Sequence, residues 1–110
     1  MTTKDLEAST FQKRPAYRYI RESDKMPPLG GNDGDDIGMA RVKLFNPTGA
    51  GTWYLSEYDA KTRTAFGRVD GQFDEYGYID MAELVAFRGQ FGLPIERDLH
   101  WTPRLLAECH

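Results

Sequence analysis

The order of apolar and polar residues along the chain predicts a small antiparallel sheet. Within residues 39–45, Val42 and Leu44 alternate with basic residues, which is the period-two pattern of a half-buried strand. Residues 52–58 predict a second strand, and both of its faces carry aromatic side chains. The segment between them, residues 46–51, has the proline and glycines of a turn. Stretches at residues 63–70 and 76–79 predict a third strand and a short fourth strand. Because short connections favour antiparallel neighbours, we expect a three- to four-stranded meander.

A helix is predicted immediately after the last of these strands. Asp80 stands where an N-cap is expected, and Glu83 at the third helical position can complete a capping box. Apolar residues recur at helical spacing until Gly89, a residue type that commonly ends helices. The expected fold class is therefore α+β. It comprises a small antiparallel three- to four-stranded meander packed against one main helix (residues 80–88), with a basic N-terminal arm and a C-terminal segment that wraps back.

The charged residues divide the chain into two parts. Residues 1–25 carry six basic and four acidic side chains, whereas residues 26–110 carry eight and thirteen. A chain of 110 residues has room for one hydrophobic core. We therefore expect a basic arm over residues 1–25, flexible or docked, followed by a single α+β domain over residues 26–110. The formal net charge of −3 differs from the net positive charge that is typical of proteins that bind the phosphate backbone of nucleic acids.

Cysteine usage and ion-binding motifs narrow the expected chemistry. The single cysteine, Cys109, has no partner for a disulfide or a zinc-binding pair, which fits a reducing cytoplasm. The chain start lacks a signal-peptide pattern, and the apolar runs are too short to span a membrane. A calcium loop starting at Asp33 would need a glutamate where Leu44 stands, and the glycines of residues 46–51 lead into a strand instead of a phosphate-binding helix. We expect a cytoplasmic protein without a cofactor or metal.

Several segments of the body are similar to one bacterial family. They are Met-Pro-Pro-Leu (26–29), Val-Lys-Leu-Phe-Asn-Pro-Thr-Gly-Ala-Gly-Thr-Trp-Tyr-Leu-Ser-Glu (42–57), Ala-Phe-Gly-Arg-Val-Asp (65–70), Tyr-Gly-Tyr-Ile-Asp-Met-Ala-Glu-Leu (76–84) and Phe-Gly-Leu-Pro-Ile-Glu-Arg-Asp-Leu-His-Trp-Thr-Pro (91–103). In this order they resemble the DUF2958 family, a domain of unknown function, over about residues 26–106. The resemblance implies no particular activity. It implies a setting on plasmids, integrative elements and phages, among antirestriction and conjugation genes.

The favoured hypothesis is a non-enzymatic interaction protein of a mobile genetic element. Such a protein could inhibit a host restriction or CRISPR system by binding a host protein complex with an acidic face. Six acidic residues in the predicted turns and at the predicted helix start are the candidates for this face. They are Asp33, Asp35, Asp36, Asp74, Glu75 and Asp80.

The first alternative is a nucleic-acid-binding accessory protein of plasmid or phage maintenance. The arm interleaves basic residues with aromatic rings, a combination that grips single strands by stacking and by phosphate contacts. The candidates are Lys13, Arg14, Tyr17, Arg18, Tyr19 and Arg21, with Arg41, Lys43, Trp53 and Tyr54 as a possible sheet platform. The competing interpretation is that the arm docks its apolar side on the body. In the same way, Trp53 fits the core better than a platform.

The second alternative is a metal-dependent nuclease, which needs carboxylates that converge at one sheet edge. The candidates lie near strand ends and in the C-terminal segment: Glu57, Asp59, Asp70, Glu96 and Asp98. The competing interpretation is that residues 96–98 form ion pairs with strand arginines such as Arg68. Nucleophilic catalysis is not favoured, because there is no Gly-x-Ser-x-Gly motif and the two histidines stand near the chain end, at 100 and 110.

Overall fold

Strands make up most of the regular structure of this chain. The computed structural model describes residues 4–9, 14–31, 38–71 and 74–109. Within these residues the strands are β1 (Asp5–Ala8), β2 (Arg18–Arg21), β3 (Met39–Ala40), β4 (Val42–Phe45), β5 (Thr52–Asp59), β6 (Thr64–Asp70), β7 (Asp74–Asp80), β8 (Glu96–Arg97) and β9 (Arg104–Leu105). The α-helix among them, α1 (Met81–Ala86), follows β7 directly. Short 3-10 turns occupy Pro15–Tyr17, Glu22–Asp24, Gln90–Gly92 and Leu106–Glu108.

Five strands form one antiparallel sheet in the order β7-β6-β5-β4-β8. Strands β4 to β7 follow one another as a meander, and β8 returns from the C-terminal part to pair with β4. Strand β1 pairs with β2, and β3 pairs with β9, as two separate antiparallel ladders. Within the described residues, β7 and β8 are therefore the two edges of the main sheet.

The predicted α+β fold class is wrong, because the described part of the chain is predominantly β and contains no main helix. Asp80 does cap α1, since its Oδ1 accepts a hydrogen bond from the Ala82 N–H at 2.9 Å. The helix is only six residues long, however, because the backbone becomes extended at Phe87 (φ −62°, ψ 138°), two residues before Gly89. A helix this short is held by tertiary packing and not by its own hydrogen bonds.

The main core lies between one face of the sheet and the segments that cross it. Val42, Leu44 and Leu55 point to this face and are fully buried. Helix α1 covers the same face with three buried apolar side chains, and Ile95 fills the space beside β8. Trp53 is half-buried and packs against this core, so its ring faces inward.

The segment before residue 26 is built into the core. Tyr19 and Ile20 of β2 are fully buried within the main core. The Tyr19 hydroxyl donates a hydrogen bond to the Ile95 carbonyl oxygen at 2.7 Å. Arg97 donates two hydrogen bonds of 2.7 Å to the Asp24 carboxylate. Strand β2 is thereby joined to the C-terminal part of the domain.

The C-terminal residues cover part of the opposite face of the sheet. Leu106 and Cys109 are buried against Tyr54 and Ala40, and Trp101 packs beside them. The Leu106 N–H donates to the Gly38 carbonyl oxygen at 2.9 Å, which extends the β3–β9 ladder. This second cluster lies over β4 and β5, and the outward side chains of β7 remain exposed. Among the described residues, no helix has the length and apolar character needed to cross a membrane.

Candidate functional site

Strand β7 brings half of the predicted acidic residues onto one sheet edge. Asp74, Glu75 and Asp80 all belong to this strand and are exposed. The other three predicted residues of the acidic face, Asp33, Asp35 and Asp36, lie outside the described residues. The strand predicted over residues 76–79 is in fact seven residues long, and the acidic residues at both of its ends are part of it.

Two tyrosines that the sequence analysis did not select stand out on the same strand. The side chain of Tyr76 is 46% exposed and that of Tyr78 is 73% exposed. In the register of β6 with β7, Tyr78 lies opposite Phe66, and Tyr76 lies opposite Arg68. The Phe66 and Tyr78 rings meet edge to face with centroids 5.4 Å apart. We call this outward patch the β7 surface: Phe66, Arg68, Asp74, Tyr76, Tyr78 and Asp80.

One arginine of the β7 surface, Arg68, contacts both a carboxylate and an aromatic ring of β7. Arg68 donates hydrogen bonds to both carboxylate oxygens of Asp74, with an Nε–Oδ1 distance of 2.6 Å. These bonds raise the pKa of the Arg68 guanidinium above its ordinary value. The guanidinium carbon also lies 5.7 Å from the centroid of the Tyr76 ring, in cation–π geometry. Asp74, Arg68 and Tyr76 therefore hold one another in place across the two strands.

The surroundings of this surface are acidic. Residues 69–87 contain five carboxylates and no lysine or arginine. They are Asp70, Asp74, Glu75, Asp80 and Glu83. Asp74 is paired with Arg68, so the excess of negative charge in this segment comes from the other carboxylates, and such an excess favours basic groups.

The backbone beneath the surface is fixed. Strands β6 and β7 pair without a register shift from Thr64 with Asp80 to Asp70 with Asp74. At Gly67, a Cβ atom would lie 1.8 Å from the Tyr54 carbonyl oxygen, so only glycine allows β5 and β6 to approach this closely. The rings are thus presented by paired strands of a sheet and not by a loop.

The aromatic residues of the nucleic-acid candidate are not displayed for stacking. Tyr17 and Tyr19 are buried, and Arg18 lies 3.5 Å from Asp5 in an ion pair. Arg14 stands over the Tyr17 ring, and Arg21 donates to the Pro15 carbonyl oxygen at 3.5 Å. Lys13 lies outside the described residues. The described part of this set is thus occupied within the protein.

The predicted sheet platform is divided between the two faces. Trp53 points into the main core, whereas Tyr54 is buried beneath Trp101 with ring centroids 5.9 Å apart. Lys43 lies between Asp98, at 3.5 Å, and the Tyr54 ring. The backbone N–H of Arg41 donates to the Leu55 carbonyl oxygen. The four residues do not form a common exposed surface.

The carboxylates of the nuclease candidate do not converge. Asp59 and Asp70 lie at opposite ends of the β5–β6 ladder, about 20 Å apart at the usual rise of a strand. Glu57 is buried and accepts a hydrogen bond from the Gly30 N–H at 2.9 Å. Asp98 pairs with Lys43, on a strand not adjacent to β6. Among the described residues, no three histidine, cysteine, aspartate or glutamate side chains form a group that could hold a metal ion.

The competing prediction, ion pairs between residues 96–98 and strand arginines such as Arg68, named the wrong partners, although two of these residues do form ion pairs. Arg97 pairs with Asp24, and Asp98 pairs with Lys43, whereas Arg68 pairs with Asp74. A shallow cleft of about 310 Å³ lies beside these pairs, between Ala16, Phe45 and residues 96–100. Arg97, which lines this cleft, is already bound to Asp24. The cleft lies at the edge of the sheet opposite β7.

The fold and the β7 surface define a class of protein: a predominantly β domain with an exposed, acidic and aromatic sheet edge. The chain belongs to the family described as Protein of unknown function (DUF2958), whose model matches residues 18–107. The match confirms the family resemblance of the sequence, and it begins at the first residue of β2. Searches among curated proteins and among solved structures returned no match.

Proposed function

We propose that this chain is a non-enzymatic interaction protein that binds a partner protein through the β7 surface. The observation that carries the proposal is the exposure of Tyr78, 73%, in a regular strand that is paired along its whole length. Large rings displayed on a fixed backbone, next to a second exposed tyrosine, are typical of protein interfaces.

The geometry supports binding for a further reason. Tyrosine contributes a large contact area with few rotatable bonds, so little side-chain entropy is lost when a partner covers it. The Arg68 guanidinium, held by Asp74, lies over the Tyr76 ring and restricts the conformations of that ring before a partner binds. A partner therefore meets a surface that already has its bound shape.

The biological role we propose is inhibition of a host defence complex, of the restriction or CRISPR type, in the cytoplasm. Two observations support it. The five carboxylates of residues 69–87 suit a basic protein surface, which is what nucleic-acid-handling enzymes present to their substrate. The family resemblance implies a setting on mobile elements among antirestriction genes.

Capture from host lysate tests the binding surface. Immobilised wild-type protein, Tyr78→Ser and Leu99→Ser are compared after nuclease treatment of the lysate. Leu99 is the matched control, because it is also a large exposed apolar residue but follows β8 at the opposite edge of the sheet. We expect one protein to be retained by the wild type and by Leu99→Ser and to be lost with Tyr78→Ser.

Three results would contradict this proposal: equal retention by Tyr78→Ser, loss with Leu99→Ser alone, or retention that disappears on nuclease treatment. Melting temperatures of the three proteins verify that each is folded. The role in defence is tested on the captured complex once it is purified. Wild-type protein should reduce its DNA cleavage and Tyr78→Ser should not, whereas undiminished cleavage with both would refute the inhibitor role.

A further inference from the structure

We infer that the partner supplies an extended basic strand that pairs with β7 and adds a sixth strand to the main sheet. This inference rests on the proposed function, since it names the chemistry of the segment that binds the same surface. It is carried by three features of β7: an open main-chain edge, carboxylates at both ends, and free space at its centre.

The main-chain edge of β7 is open within the described residues. The strand is the last in the order β7-β6-β5-β4-β8, and its backbone pairs there with β6 alone. Alternate residues of an edge strand direct their N–H and C=O groups outward, where an added strand can bond to them. Strand β7 has no proline, no lysine and no bulge against β6, three devices that commonly protect such edges. Strand β8, at the opposite edge, has only two residues.

The charges at the two ends of β7 select a basic partner. Glu75 stands at one end and Asp80 at the other, about 17 Å apart at the rise of a strand. Asp74, beside Glu75, is already paired with Arg68. Opposite charges directly across a strand pair stabilise it, and like charges destabilise it. A strand with lysine or arginine near both ends and uncharged residues between them is therefore the complementary occupant.

A second copy of this chain is a poor occupant for the same reason. Antiparallel pairing of two β7 strands about Gly77 places Asp74 opposite Asp80 at both ends. Parallel pairing in register places each carboxylate beside its own copy. In the antiparallel arrangement Asp74 is already paired with Arg68, and in the parallel arrangement like charges oppose one another. Neither arrangement places a basic residue opposite Glu75 or Asp80, so a basic strand is the better occupant.

The centre of β7 accommodates the side chains of an added strand. On the outward face, Tyr76 and Tyr78 offer rings to β-branched or aromatic neighbours, which are favourable cross-strand partners. On the other face, a Cβ atom built at Gly77 would meet no atom within 4 Å. The middle residues of the partner strand can therefore be bulky on either side.

Peptide display provides the test. Two libraries of seven-residue peptides are panned on the full-length protein: one has lysine at both ends, the other has glutamate, and both have randomised centres. We expect enrichment from the lysine library only, with central positions that favour β-branched and aromatic residues. N-methylation of alternate amides in an enriched peptide, in the register that faces β7, should weaken binding roughly tenfold or more because it removes main-chain donors.

Equal enrichment from both libraries, enrichment from neither, or full affinity after N-methylation in both registers would overturn the strand-addition model. The lysate experiment separates this failure from failure of the proposed function. If Tyr78→Ser abolishes capture while neither library is enriched, the partner covers the rings without adding a strand, and only the further inference falls. If Tyr78→Ser leaves capture unchanged, the proposed function itself falls.

Discussion

Gly67 shows how a single residue sets the geometry of the sheet. Its nearest neighbours are backbone atoms: a Cβ atom would lie 1.8 Å from the Tyr54 carbonyl oxygen and 3.1 Å from the Leu55 Cα. Gly77 lies directly across β6–β7, and a Cβ atom there would meet nothing within 4 Å. The two glycines therefore allow a matched comparison of alanine variants, one at a crowded position and one at an open position.

Gly67→Ala should lower the free energy of unfolding by about 3 kcal/mol, because the β5 backbone must move to admit the methyl group. Gly77→Ala should change it by less than about 1 kcal/mol. Urea denaturation of the two variants measures both values. Equal effects at the two positions would show that the close approach of β5 and β6 is not what requires glycine.

Glu7 is a buried carboxylate that fastens β1 to the main sheet. It accepts a hydrogen bond of 2.7 Å from the Tyr58 hydroxyl and bonds of 3.0 and 2.7 Å from Arg63. Glu7→Ala removes the acceptor of a buried hydroxyl, so it should lower the free energy of unfolding by about 2 to 3 kcal/mol. Asp5→Ala, which breaks only the exposed pair with Arg18, should cost about 0.5 kcal/mol in the same assay. Similar losses for both would contradict the role assigned to Glu7.

Buried tyrosines predict a loss of stability at high pH. Burial raises the pKa of Tyr19 from its ordinary value of 10.0 to about 12. Burial also raises the pKa of Tyr58 and Tyr54. Above pH 10 the unfolded chain loses phenol protons that the folded chain retains. The free energy of unfolding therefore keeps this contribution below pH 10 and loses it as the pH rises above 10, and for Tyr19 the loss runs from pH 10 to 12 at about 1.4 kcal/mol per pH unit.

Tyr19→Phe should make this decline shallower by about 1.4 kcal/mol per pH unit between pH 10 and 12, since one titrating group is removed. Denaturant titrations at several pH values give the two slopes. The slopes are compared, so the stability lost with the Tyr19–Ile95 hydrogen bond does not affect the result. Identical slopes would mean that Tyr19 does not retain its proton in the folded state.

Residues with a local role were predictable from the sequence, and those with distant partners were not. Asp80 was found as a helix cap because its partner, Ala82, is two positions away. Glu7 and Arg63 are 56 positions apart, so no sequence pattern connects them. For the same reason, the basic and aromatic pattern around Tyr19 left open whether the arm is exposed or docked, since the partner of its hydroxyl, Ile95, is 76 positions away.

At the scale of elements, the alternating pattern located the long strands and missed the short ones. The hairpin of β4 and β5 lies where the pattern predicted it. Strands β8 and β9 have only two residues each, too few for a period to be visible. They exist because distant segments supply their hydrogen-bond partners. The helix was predicted too long because the apolar spacing continues through Phe87 and Gly89 marked the expected end, whereas the backbone is already extended at Phe87.

The hairpin also carries a prediction. Trp53 lies between Leu44 and Val69 on the core-facing side of β5, so Trp53→Ala should lower the free energy of unfolding by about 3 kcal/mol. Thr52→Ala, one position earlier and on the other face of the strand, should cost less than about 1 kcal/mol. Thermal and urea unfolding measure both. A Trp53→Ala protein of unchanged stability that has lost only a binding activity would place this ring on the surface.

At the scale of the whole molecule, the N-terminal and C-terminal segments are joined across the sheet. Arg97 and Asp24 are 73 positions apart and connect β8 to the turn after β2. The family match begins at Arg18, so it includes β2 together with the main sheet. The boundary predicted at residue 25 followed charge composition and stays a prediction, and Tyr19 and Ile20, which precede it, are buried in the main core.

The candidate site was predictable only in part. The sequence selected Asp74, Glu75 and Asp80 for their charge, and the structure places them on one strand. It did not select Tyr76 and Tyr78, because a tyrosine in an alternating strand can face either the core or the solvent. Only the register with β6 and the position of β7 at the sheet edge show that both tyrosine side chains point to the solvent.

The most direct test of the account is amide hydrogen exchange on this protein, alone and in complex with the captured partner. If the partner adds a strand to β7, alternate amides of residues 74–80 should become slower to exchange, while amides that already pair with β6 change little. Residues 96–100, at the opposite edge, should be unaffected. New protection confined to residues 96–100, with none on β7, would contradict the assignment of β7 as the binding strand.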